Sequence, residues 1–242
     1  MSMSHGVIHG LIPAGGIGAR AQDLSDAGST PLPKQYRSIQ GKAMLTHAVH
    51  ALLADERIVD VVVGVQSDDS LAATHLAGVD QVRVLPSAGS TRAHTVLQTL
   101  QDSSFEAQDW VLVHDAARPK LPAARLRALI DCCVHHNQGG LLAMPAADTV
   151  KLAASVDAAD SSVAKVKTTL ARQSIWLAQT PQMFRVGELT AALSGALQAG
   201  VEVTDEASAM EWAGHRPLLV PGSPSNLKVT WPEDFEWVGE MP

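Results

Sequence analysis

Cysteine is scarce in this chain of 242 residues: there are two, and they are neighbours, Cys132 and Cys133. Adjacent cysteines rarely join in a disulfide, and no other cysteine is available to pair with them. The pair therefore excludes a disulfide-stapled extracellular scaffold and is typical of a reducing compartment, so we expect a cytoplasmic protein. We interpret both cysteines as small buried residues of a helix rather than as a redox or metal pair.

Long apolar runs and a secretory leader are also missing. The chain begins MSMSHG, without the basic and apolar segments of a secretion signal. No apolar run approaches the length of about 20 residues that a membrane-spanning helix needs. We therefore expect a chain that is neither secreted nor held in a membrane.

An excess of basic residues is absent as well. Lysine and arginine number 18 against 25 aspartates and glutamates, which gives a formal net charge of −7. Nucleic-acid-binding proteins usually have the opposite balance, so we expect no nucleic-acid partner. The histidines show no metal-ligand spacing, and no credible Ser-His-Asp or Cys-His set is present. An anionic ligand would have to be held by a few well-placed cations.

Apolar residues make up 46% of the chain and follow an alternating pattern in its first half. The run IVDVVVGV (residues 58–65) is typical of a strand buried on both faces, whereas apolar residues at 44, 45, 48, 49, 52 and 53 have helical spacing. Repeated strand–helix–strand units predict an α/β fold, a Rossmann-like, mostly parallel twisted sheet with helices on both faces. We predict strands at 7–12, 58–65, 82–85, 110–113 and 141–144, and helices at 44–54, 67–77 with Ser67 as its cap, 91–100 and 122–136.

The alternation breaks at residues 148–169, which are rich in Ala, Ser, Asp, Lys and Thr and show no helical stripe. We interpret this segment as a hairpin arm inserted into a single domain of residues 1–242. Regular structure resumes at WLAQTPQMF (residues 176–184), with helices predicted at 188–198 and 205–213 and strands at 218–220 and 227–230. Asp205 and Glu206 open a helix, where acids favour the dipole, so we expect them to serve as cap and scaffold.

A glycine-rich turn follows the first predicted strand in the stretch LIPAGGIGAR (residues 11–20). Gly16, Gly18 and Ala21 fit the dinucleotide pattern G-x-G-x-x-G/A, but a NAD site also needs a second strand that ends in an acidic residue about 20 residues later. The corresponding region, DLSDAGSTPLPKQY, has two prolines and no strand pattern, and the Walker pattern is absent. A NAD-type site is therefore not expected, and a plain turn between strand and helix stays open.

Two cations follow these glycines: Arg20 and, after a polar loop, Lys34 in the sequence Pro-Lys-Gln. Backbone N–H groups of a glycine turn bind phosphate oxygens, and nearby cations neutralise the charge that builds on a phosphorus atom under attack. The arrangement predicts a polyphosphate site. It resembles the first strand–helix turn of the nucleotidyltransferases that activate sugars and alcohols.

Further motifs narrow this resemblance. In order, they are AGSTR (88–92), HDAAR (114–118), DTVK (148–151), TPQ (180–182), TDEAS (204–208) and LKVT (227–230). Over residues 7–232 the chain resembles the 2-C-methyl-D-erythritol 4-phosphate cytidylyltransferases. The resemblance implies a single nucleotidyltransferase domain that transfers CMP from CTP to 2-C-methyl-D-erythritol 4-phosphate, in non-mevalonate isoprenoid biosynthesis. It also implies release of pyrophosphate and a requirement for Mg²⁺.

The same resemblance implies roles for individual residues. The cations that stabilise the transition state or hold the acceptor would be Arg20, Lys34, Arg172 and Lys228. The nucleotide would contact Pro13, Ala14, Gly15, Gly16, Gly18, Gly89, Ser90 and Thr95, and the acceptor Asp115, Arg118, Thr149 and Thr180. Mg²⁺ would be held mainly by the CTP phosphates, with Asp115 as the candidate protein ligand. The alternative for Asp115, a carboxylate that only caps the loop after its strand, stays open.

Two further expectations come with the family. Its arm clasps a second subunit, so we expect a homodimer in which Arg172, just beyond the arm, reaches the acceptor bound mainly by the other chain. His114 is expected to be a structural hydrogen-bonding residue rather than a base, because the attacking phosphate oxygen is already ionised.

Three departures from the family pattern leave alternatives open. The family usually has Ala-Ala-Gly where this chain has Ala14-Gly15-Gly16, an acidic residue is common at the position of Ser90, and the loop between Arg20 and Lys34 is longer than usual. The close alternative is a ribitol-5-phosphate cytidylyltransferase, which shares the glycine loop and an HDAAR-like segment. A sugar-nucleotide pyrophosphorylase would leave TDEAS and LKVT unexplained. A non-catalytic nucleotide-binding regulator would not need the four cations.

Overall fold

The computed structural model describes residues 6–16, 32–154 and 164–241. Their largest sheet contains β1 (Ile8–Pro13), β4 (Ile58–Gly64), β5 (Val82–Leu85), β6 (Trp110–Val113), β7 (Gly140–Pro145), β10 (Trp176–Arg185) and β11 (Leu218–Pro221). Two short antiparallel pairs lie outside this sheet: β2 (Ser38–Ile39) with β3 (Lys42–Ala43), and β8 (Val150–Ala153) with β9 (Val166–Leu170). The predicted site residues Gly18 and Arg20 lie outside the described residues.

The large sheet has the strand order β11-β7-β10-β6-β1-β4-β5 within the described part of the chain. The pairs β1–β4, β1–β6, β4–β5 and β7–β11 are parallel, and β10 runs antiparallel to β6 and β7. The predicted mostly parallel sheet is confirmed. Because β1, β4 and β6 are parallel neighbours, their carboxyl ends meet at one edge, which is where ligands bind in open α/β sheets.

Helices cover both faces of this sheet. They are α1 (Met44–Leu52), α2 (Ala72–His75), α3 (Arg92–Asp102), α4 (Ala123–His136), α5 (Val186–Gln198), α6 (Glu206–Trp212) and α7 (Pro232–Glu240), with 3₁₀ turns at Lys34–Tyr36 and Arg172–Ser174. None of the helices in the described residues has the length and apolar character needed to cross a membrane.

Alternation along the strands divides the core between the two faces. Ile12 of β1 packs with α1 and α4, whereas its neighbour Leu11 packs with α3, α5 and α6. Successive side chains of a strand point to opposite faces, so a run such as residues 58–65 is apolar throughout when both faces are covered. Both cysteines lie on the helix α4, as expected, but only Cys133 is buried, in the first of these clusters, and Cys132 is half-buried beside it. Burial raises the pKa of the Cys133 thiol to about 12.

The predicted hairpin arm contains the antiparallel pair β8–β9, in which Lys151 pairs with Thr169. Its side chains are mostly exposed, and Leu152 and Val166 are 43% and 62% exposed. The chain leaves the large sheet after β7, forms the pair β8–β9, and returns to the large sheet at the start of β10. An exposed two-stranded ribbon with apolar side chains is marginally stable in water unless it packs on another surface.

The predicted cap at Ser67 is wrong. The helix is one turn long and begins at Ala72, and the carboxylate of Asp69 accepts hydrogen bonds from the backbone N–H groups of Leu71 (3.0 Å) and Ala72 (2.9 Å). An ionised carboxylate is the stronger acceptor for such unpaired N–H groups, and Asp69 lies closer to them along the chain than Ser67 does.

The predicted strand at residues 227–230 is also wrong, since no ladder forms there. Val229 donates one backbone hydrogen bond, to the carbonyl of Ala117 (2.8 Å), and its side chain is buried. Lys228 and Thr230 on either side of it are not buried. This in–out alternation imitates a strand pattern, but a strand needs a paired neighbour along its length. The helix α7 and the pair β2–β3 were not predicted.

Candidate active site

A cleft of about 530 Å³ opens at the carboxyl edge of the sheet. Its walls come from the loop after β1, the loop before α3 and the residues that follow β6. The lining residues are Pro13, Ala14, Gly15, Gly16, Lys34, Gln35, Met44, Gln66, Gly89, Ser90, Thr91, Arg92, Thr95, Asp115, Ala116, Ala117 and Lys228. The structure therefore brings together all the described residues that were predicted to bind the nucleotide, along with Lys34, Asp115 and Lys228.

The glycine loop begins where β1 ends at Pro13. The backbone N–H of Ala14 donates to the carbonyl of Gly64 at the end of β4 (2.8 Å). Two amide side chains bind the next carbonyls: Gln35 Nε2 donates to Ala14 (2.8 Å) and Gln66 Nε2 donates to Gly15 (2.7 Å). Gln35 in the 3₁₀ turn and Gln66 after β4 thus both hold the glycine loop in place.

Lys34 reaches the cleft from the 3₁₀ turn that carries it. Its Nζ donates to the carbonyl of Val229 (2.8 Å), and Gln35, the next residue, joins the same turn to the glycine loop. Tyr36 anchors the other end of the turn, because its hydroxyl donates to Asp69 Oδ2 (2.5 Å) and its ring stacks on His75. In the sequence Lys-Gln-Tyr, Lys34 therefore brings a cation to the cleft, and Gln35 and Tyr36 hold the turn in place.

The segment opposite the glycine loop is stabilised around the start of α3. Thr91 caps the helix by accepting from the N–H of His94, and Thr95 Oγ1 accepts from the N–H of Gly89 (3.0 Å) while donating to the carbonyl of Thr91 (3.1 Å). A side chain at position 89 would meet His94, since an added Cβ would lie 2.4 Å from the Cβ of that residue. Glycine at position 89 avoids this clash, so the loop can keep the conformation in which its backbone groups and Ser90 line the cleft.

Asp115 follows β6 and is surrounded by cations. Its Oδ1 accepts from Arg92 Nε (2.9 Å), and its Oδ2 lies 2.9 Å from Lys228 Nζ and 3.7 Å from Arg118 Nε. Burial alone would raise the pKa of Asp115, but Arg92 and Lys228 outweigh burial and hold the pKa far below its usual range. Asp115 is therefore an ionised counter-charge in the cleft and not merely the cap of a loop.

Arg92 connects Asp115 to a second buried carboxylate. Its two terminal nitrogens donate to Glu206 Oε1 (2.6 Å) and Oε2 (3.1 Å), and Glu206 is fully buried. Burial alone would lower the pKa of Arg92, but Glu206 and Asp115 raise it above its ordinary value. Glu206 is thus a scaffold residue, as expected. Asp205 is the helix cap, since its side chain accepts from the N–H of Ser208 (2.9 Å).

Arg118 is buried and does not line the cleft. Its Nη1 donates to the carbonyl of Asn226 (2.6 Å), while Nε has no hydrogen-bond partner among the described residues. Burial lowers the pKa of this guanidinium relative to its ordinary value. Its contacts in this structure join the segment after β6 to the segment that carries Lys228.

His114 and Thr180 form a buried support under Asp115. Thr180 Oγ1 accepts from the backbone N–H of Asp115 (3.0 Å) and lies 3.0 Å from His114 Nδ1, while His114 Nε2 lies 3.0 Å from the carbonyl of Arg118. All three contacts are satisfied when the hydroxyl donates to Nδ1 and the ring carries its proton on Nε2. Burial lowers the pKa of His114 to about 4, so it is neutral. Both residues support the loop and neither lines the cleft.

Thr149 and Arg172 are exposed and do not line the cleft either. Arg172 Nη1 donates to the carbonyl of Ala147 at the base of the arm. Within one chain, the structure therefore does not bring these two residues to Lys34 and Lys228.

The donor set of the cleft bears on how a metal ion is held. Among the described residues, no group of three or more His, Cys, Asp and Glu side chains is arranged to hold a metal ion. Asp115 is the single carboxylate among the described lining residues, and both its oxygens face cations. This set does not fit a cage built by protein alone. It fits Mg²⁺ bound chiefly by phosphates and water, with at most one carboxylate.

Sequence reasoning did not name seven residues of the cleft wall: Gln35, Met44, Gln66, Thr91, Arg92, Ala116 and Ala117. Gln35 and Arg92 both lie inside motifs that were recognised, directly after Lys34 and at the end of AGSTR. Their position in those motifs was the available signal. Gln66 gave none, because a polar residue after a strand is ordinary.

Comparison with known proteins places the chain among named relatives. A family model described as 2-C-methyl-D-erythritol 4-phosphate cytidylyltransferase matches residues 8–239. The protein of that name from Bordetella pertussis (strain Tohama I) is 53% identical over 226 residues, covering 93% of this chain and 94% of the relative. The one from Vibrio vulnificus (strain CMCP6) is 43% identical over 227 residues, covering 93% and 90%.

A solved structure agrees with these relatives. The crystal structure of a 4-diphosphocytidyl-2C-methyl-D-erythritol synthase superimposes with a TM-score of 0.78 at 35% sequence identity, covering 97% of each chain. The likeness therefore extends over the fold and over nearly the whole length of both chains.

Proposed function

The chain belongs to the 2-C-methyl-D-erythritol 4-phosphate cytidylyltransferase family, and on this premise we propose that it transfers CMP from CTP to 2-C-methyl-D-erythritol 4-phosphate. A phosphate oxygen of the acceptor attacks the α-phosphorus of CTP, and the bond from that phosphorus to the bridging oxygen of the β-phosphate breaks. The products are 4-(cytidine 5′-diphospho)-2-C-methyl-D-erythritol and pyrophosphate. This is a step of non-mevalonate isoprenoid biosynthesis.

One observation carries this proposal: the glycine loop, the loop before α3, two lysines and the cation-bound Asp115 face a single cleft. The acceptor phosphate is ionised at pH 7, so its attack needs no general base. His114 accordingly is buried, neutral and fully hydrogen-bonded. The barrier consists of repulsion between anions and of charge that builds at the α-phosphorus, and positioned cations lower both.

We assign the nucleotide to the space between the two loops. Backbone groups of residues 13–16 would approach the triphosphate, and the loop at residues 89–91 would face the cytosine. Lys34, and Arg20 beyond the described residues, would stabilise the charge on the phosphates. Lys228 would hold the acceptor phosphate, and Asp115 would keep that lysine in place until the acceptor arrives, since the two side chains are 2.9 Å apart.

Mg²⁺ belongs to this proposal as a partner of the triphosphate. When bound, it would neutralise phosphate charge and favour the departure of pyrophosphate. Asp115 is the carboxylate available to it in the described part of the cleft, and one of its oxygens becomes accessible if Lys228 turns to the acceptor phosphate.

We also propose a homodimer held by the arm. Leu152 and Val166 on the arm are largely exposed, and Leu177 at its base is 58% exposed. A second copy of the chain would cover these side chains. Arg172, at the foot of the arm and outside the cleft of its own chain, would then reach the partner's acceptor, where its bidentate guanidinium suits a phosphate.

Pyrophosphate release tests the function. Purified protein is assayed with Mg²⁺ and each of CTP, UTP, ATP and GTP, combined with 2-C-methyl-D-erythritol 4-phosphate or ribitol 5-phosphate. We expect CTP with the methylerythritol substrate to give the highest kcat/KM, and chelation of Mg²⁺ to abolish turnover. Equal turnover of UTP would contradict the nucleotide assignment, and a preference for ribitol 5-phosphate would move the chain to that activity.

A further inference from the structure

Gly15 lies against Ala88 on the opposite loop of the cleft. A Cβ atom added at position 15 would come 2.4 Å from the Cβ of Ala88 and 3.5 Å from Thr95 Oγ1. Carbon atoms in contact stay about 3.5–4.0 Å apart, so the two methyl groups cannot coexist without movement. Gly15 is not among the described glycines with positive φ. Glycine is therefore required here by space and not by backbone conformation.

Neither loop is free to move away from the other. The N–H of Ala14 donates to the carbonyl of Gly64 (2.8 Å). The N–H of Ala88 donates to the carbonyl of Val65, the residue after Gly64 (3.0 Å). Gln66, the residue after that, binds the carbonyl of Gly15 through its side-chain amide (2.7 Å). Three consecutive residues, the last one of β4 and the two that follow it, therefore hold both loops, and a wider spacing would break at least one of these bonds.

We propose that Gly15 and Ala88 are a matched steric pair that sets the width of the nucleotide subsite. One methyl group fills the space between the two loops, and in this chain Ala88 carries it. This makes Ala88, which does not itself line the cleft, a positioning residue for the glycine loop. The inference rests on the proposed function, because it takes this cleft to be the CTP site.

The pair accounts for a departure that the sequence resemblance left unexplained. Gly15 stands where alanine is usual, and the site has no room for that alanine while residue 88 is alanine as well. Gly15→Ala overfills the space between the loops, and Ala88→Gly leaves a gap of one methyl group. The double variant Gly15→Ala/Ala88→Gly carries the methyl group on the glycine loop instead of the loop before α3. The space between the two loops is then again filled by one methyl group.

A double-mutant cycle tests this pair. CTP binding is measured by calorimetry, and the unfolding midpoint is measured without ligand, for the wild type, both single variants and the double variant. We expect Gly15→Ala to weaken CTP binding about tenfold or more, from the cost of overpacking, and to lower the unfolding midpoint. We expect Ala88→Gly to weaken binding less, and the double variant to bind within about threefold of the wild type. Gly239→Ala is the matched control, because a Cβ there meets nothing within 4 Å.

Each outcome decides the proposal. Normal CTP binding by Gly15→Ala, or a double variant whose defects are the sum of the single ones, overturns it. If Gly15→Ala does not fold, a folded double variant that binds CTP supports the pair, and an unfolded double variant overturns it. A wild type that binds CTP without turning it over contradicts the proposed function alone. A wild type that does not bind CTP overturns the subsite assignment as well.

Discussion

Lys228 Nζ lies 2.9 Å from Oδ2 of Asp115, whose other oxygen accepts from Arg92 Nε. The carboxylate holds cations from α3 and from the segment before α7 side by side, although they repel each other. Arg118 is the third cation near Asp115. Glu206 gives Arg92 a second carboxylate partner. The cleft therefore keeps a positive balance where phosphates are proposed to bind, while the chain as a whole is acidic.

Asp115→Asn should lower both stability and activity. It preserves the shape of the side chain but leaves the half-buried Arg92 and the buried Arg118 without this counter-charge. We expect the free energy of unfolding to fall by roughly 3 kcal/mol, as when one partner of a buried ion pair is lost. We expect kcat to fall about 100-fold, because Lys228 and Arg92 lose the group that positions them. Urea denaturation and pyrophosphate release measure the two effects.

Asp131→Asn is the matched control for that substitution. Asp131 pairs with Arg57 on the surface, and its side chain is 59% exposed. An exposed pair contributes about 0–1 kcal/mol, so the variant should resemble the wild type in both measurements. An Asp115→Asn protein that is as stable and as active as this control would contradict a central role for the carboxylate.

Lys34→Ala and Arg20→Ala should each lower kcat by about two orders of magnitude while the fold survives, since each removes one preorganised cation from the transition state. Circular dichroism checks the fold, and saturating CTP separates kcat from KM. Lys42→Ala, an exposed lysine on β3, is the control and should keep full activity. A folded Lys34→Ala variant with normal kcat would rule out the role assigned to that lysine.

His114 should make stability depend on pH in mildly acidic solution. Its pKa is about 4 in the folded chain and about 6.5 when unfolded, so the unfolded chain binds more protons between these values. Above about pH 6.5 the imidazole is neutral in both the folded and the unfolded chain, so it costs no stability. As the pH falls towards 4, protonation favours the unfolded chain and the free energy of unfolding falls by roughly 3 kcal/mol.

Comparison with His114→Gln isolates this contribution. Urea unfolding between pH 4 and pH 7 should show a shallower pH dependence for the variant than for the wild type, whatever its overall stability. His136→Gln, at an exposed position on α4, should retain the wild-type slope. Parallel curves for the wild type and His114→Gln would show that His114 does not stay neutral on folding.

Mixing inactive subunits tests the shared site. Arg172→Ala and Lys34→Ala proteins should each be nearly inactive alone. If Arg172 acts across the interface, a mixed dimer carries both lesions in one site and leaves the other site intact, so activity returns. Sedimentation and a labelled-subunit exchange assay are the controls. A monomeric protein, or proven exchange without rescue, would refute this arrangement.

The sequence by itself determined the features that local patterning controls. β-branched runs predicted the buried strands, because both faces of a parallel sheet are covered. The resemblance assigned the glycines after β1 and the aspartate after β6 to one site, and parallel strands bring their carboxyl ends to one edge. Seven of the eight predicted nucleotide contacts are described, and all seven line the cleft.

Only the tertiary structure decided which polar and small groups meet across the core. Thr180 supports Asp115 from 65 residues away, and Arg92 joins Glu206 across 114 residues. Residues 227–230 alternate like a strand, but no neighbouring strand pairs with them, so they form a loop. The need for glycine at position 15 depends on Ala88, which the packing of two loops on the end of β4 places against it. Such pairings arise from packing at long sequence separation, which residue spacing along the chain does not encode.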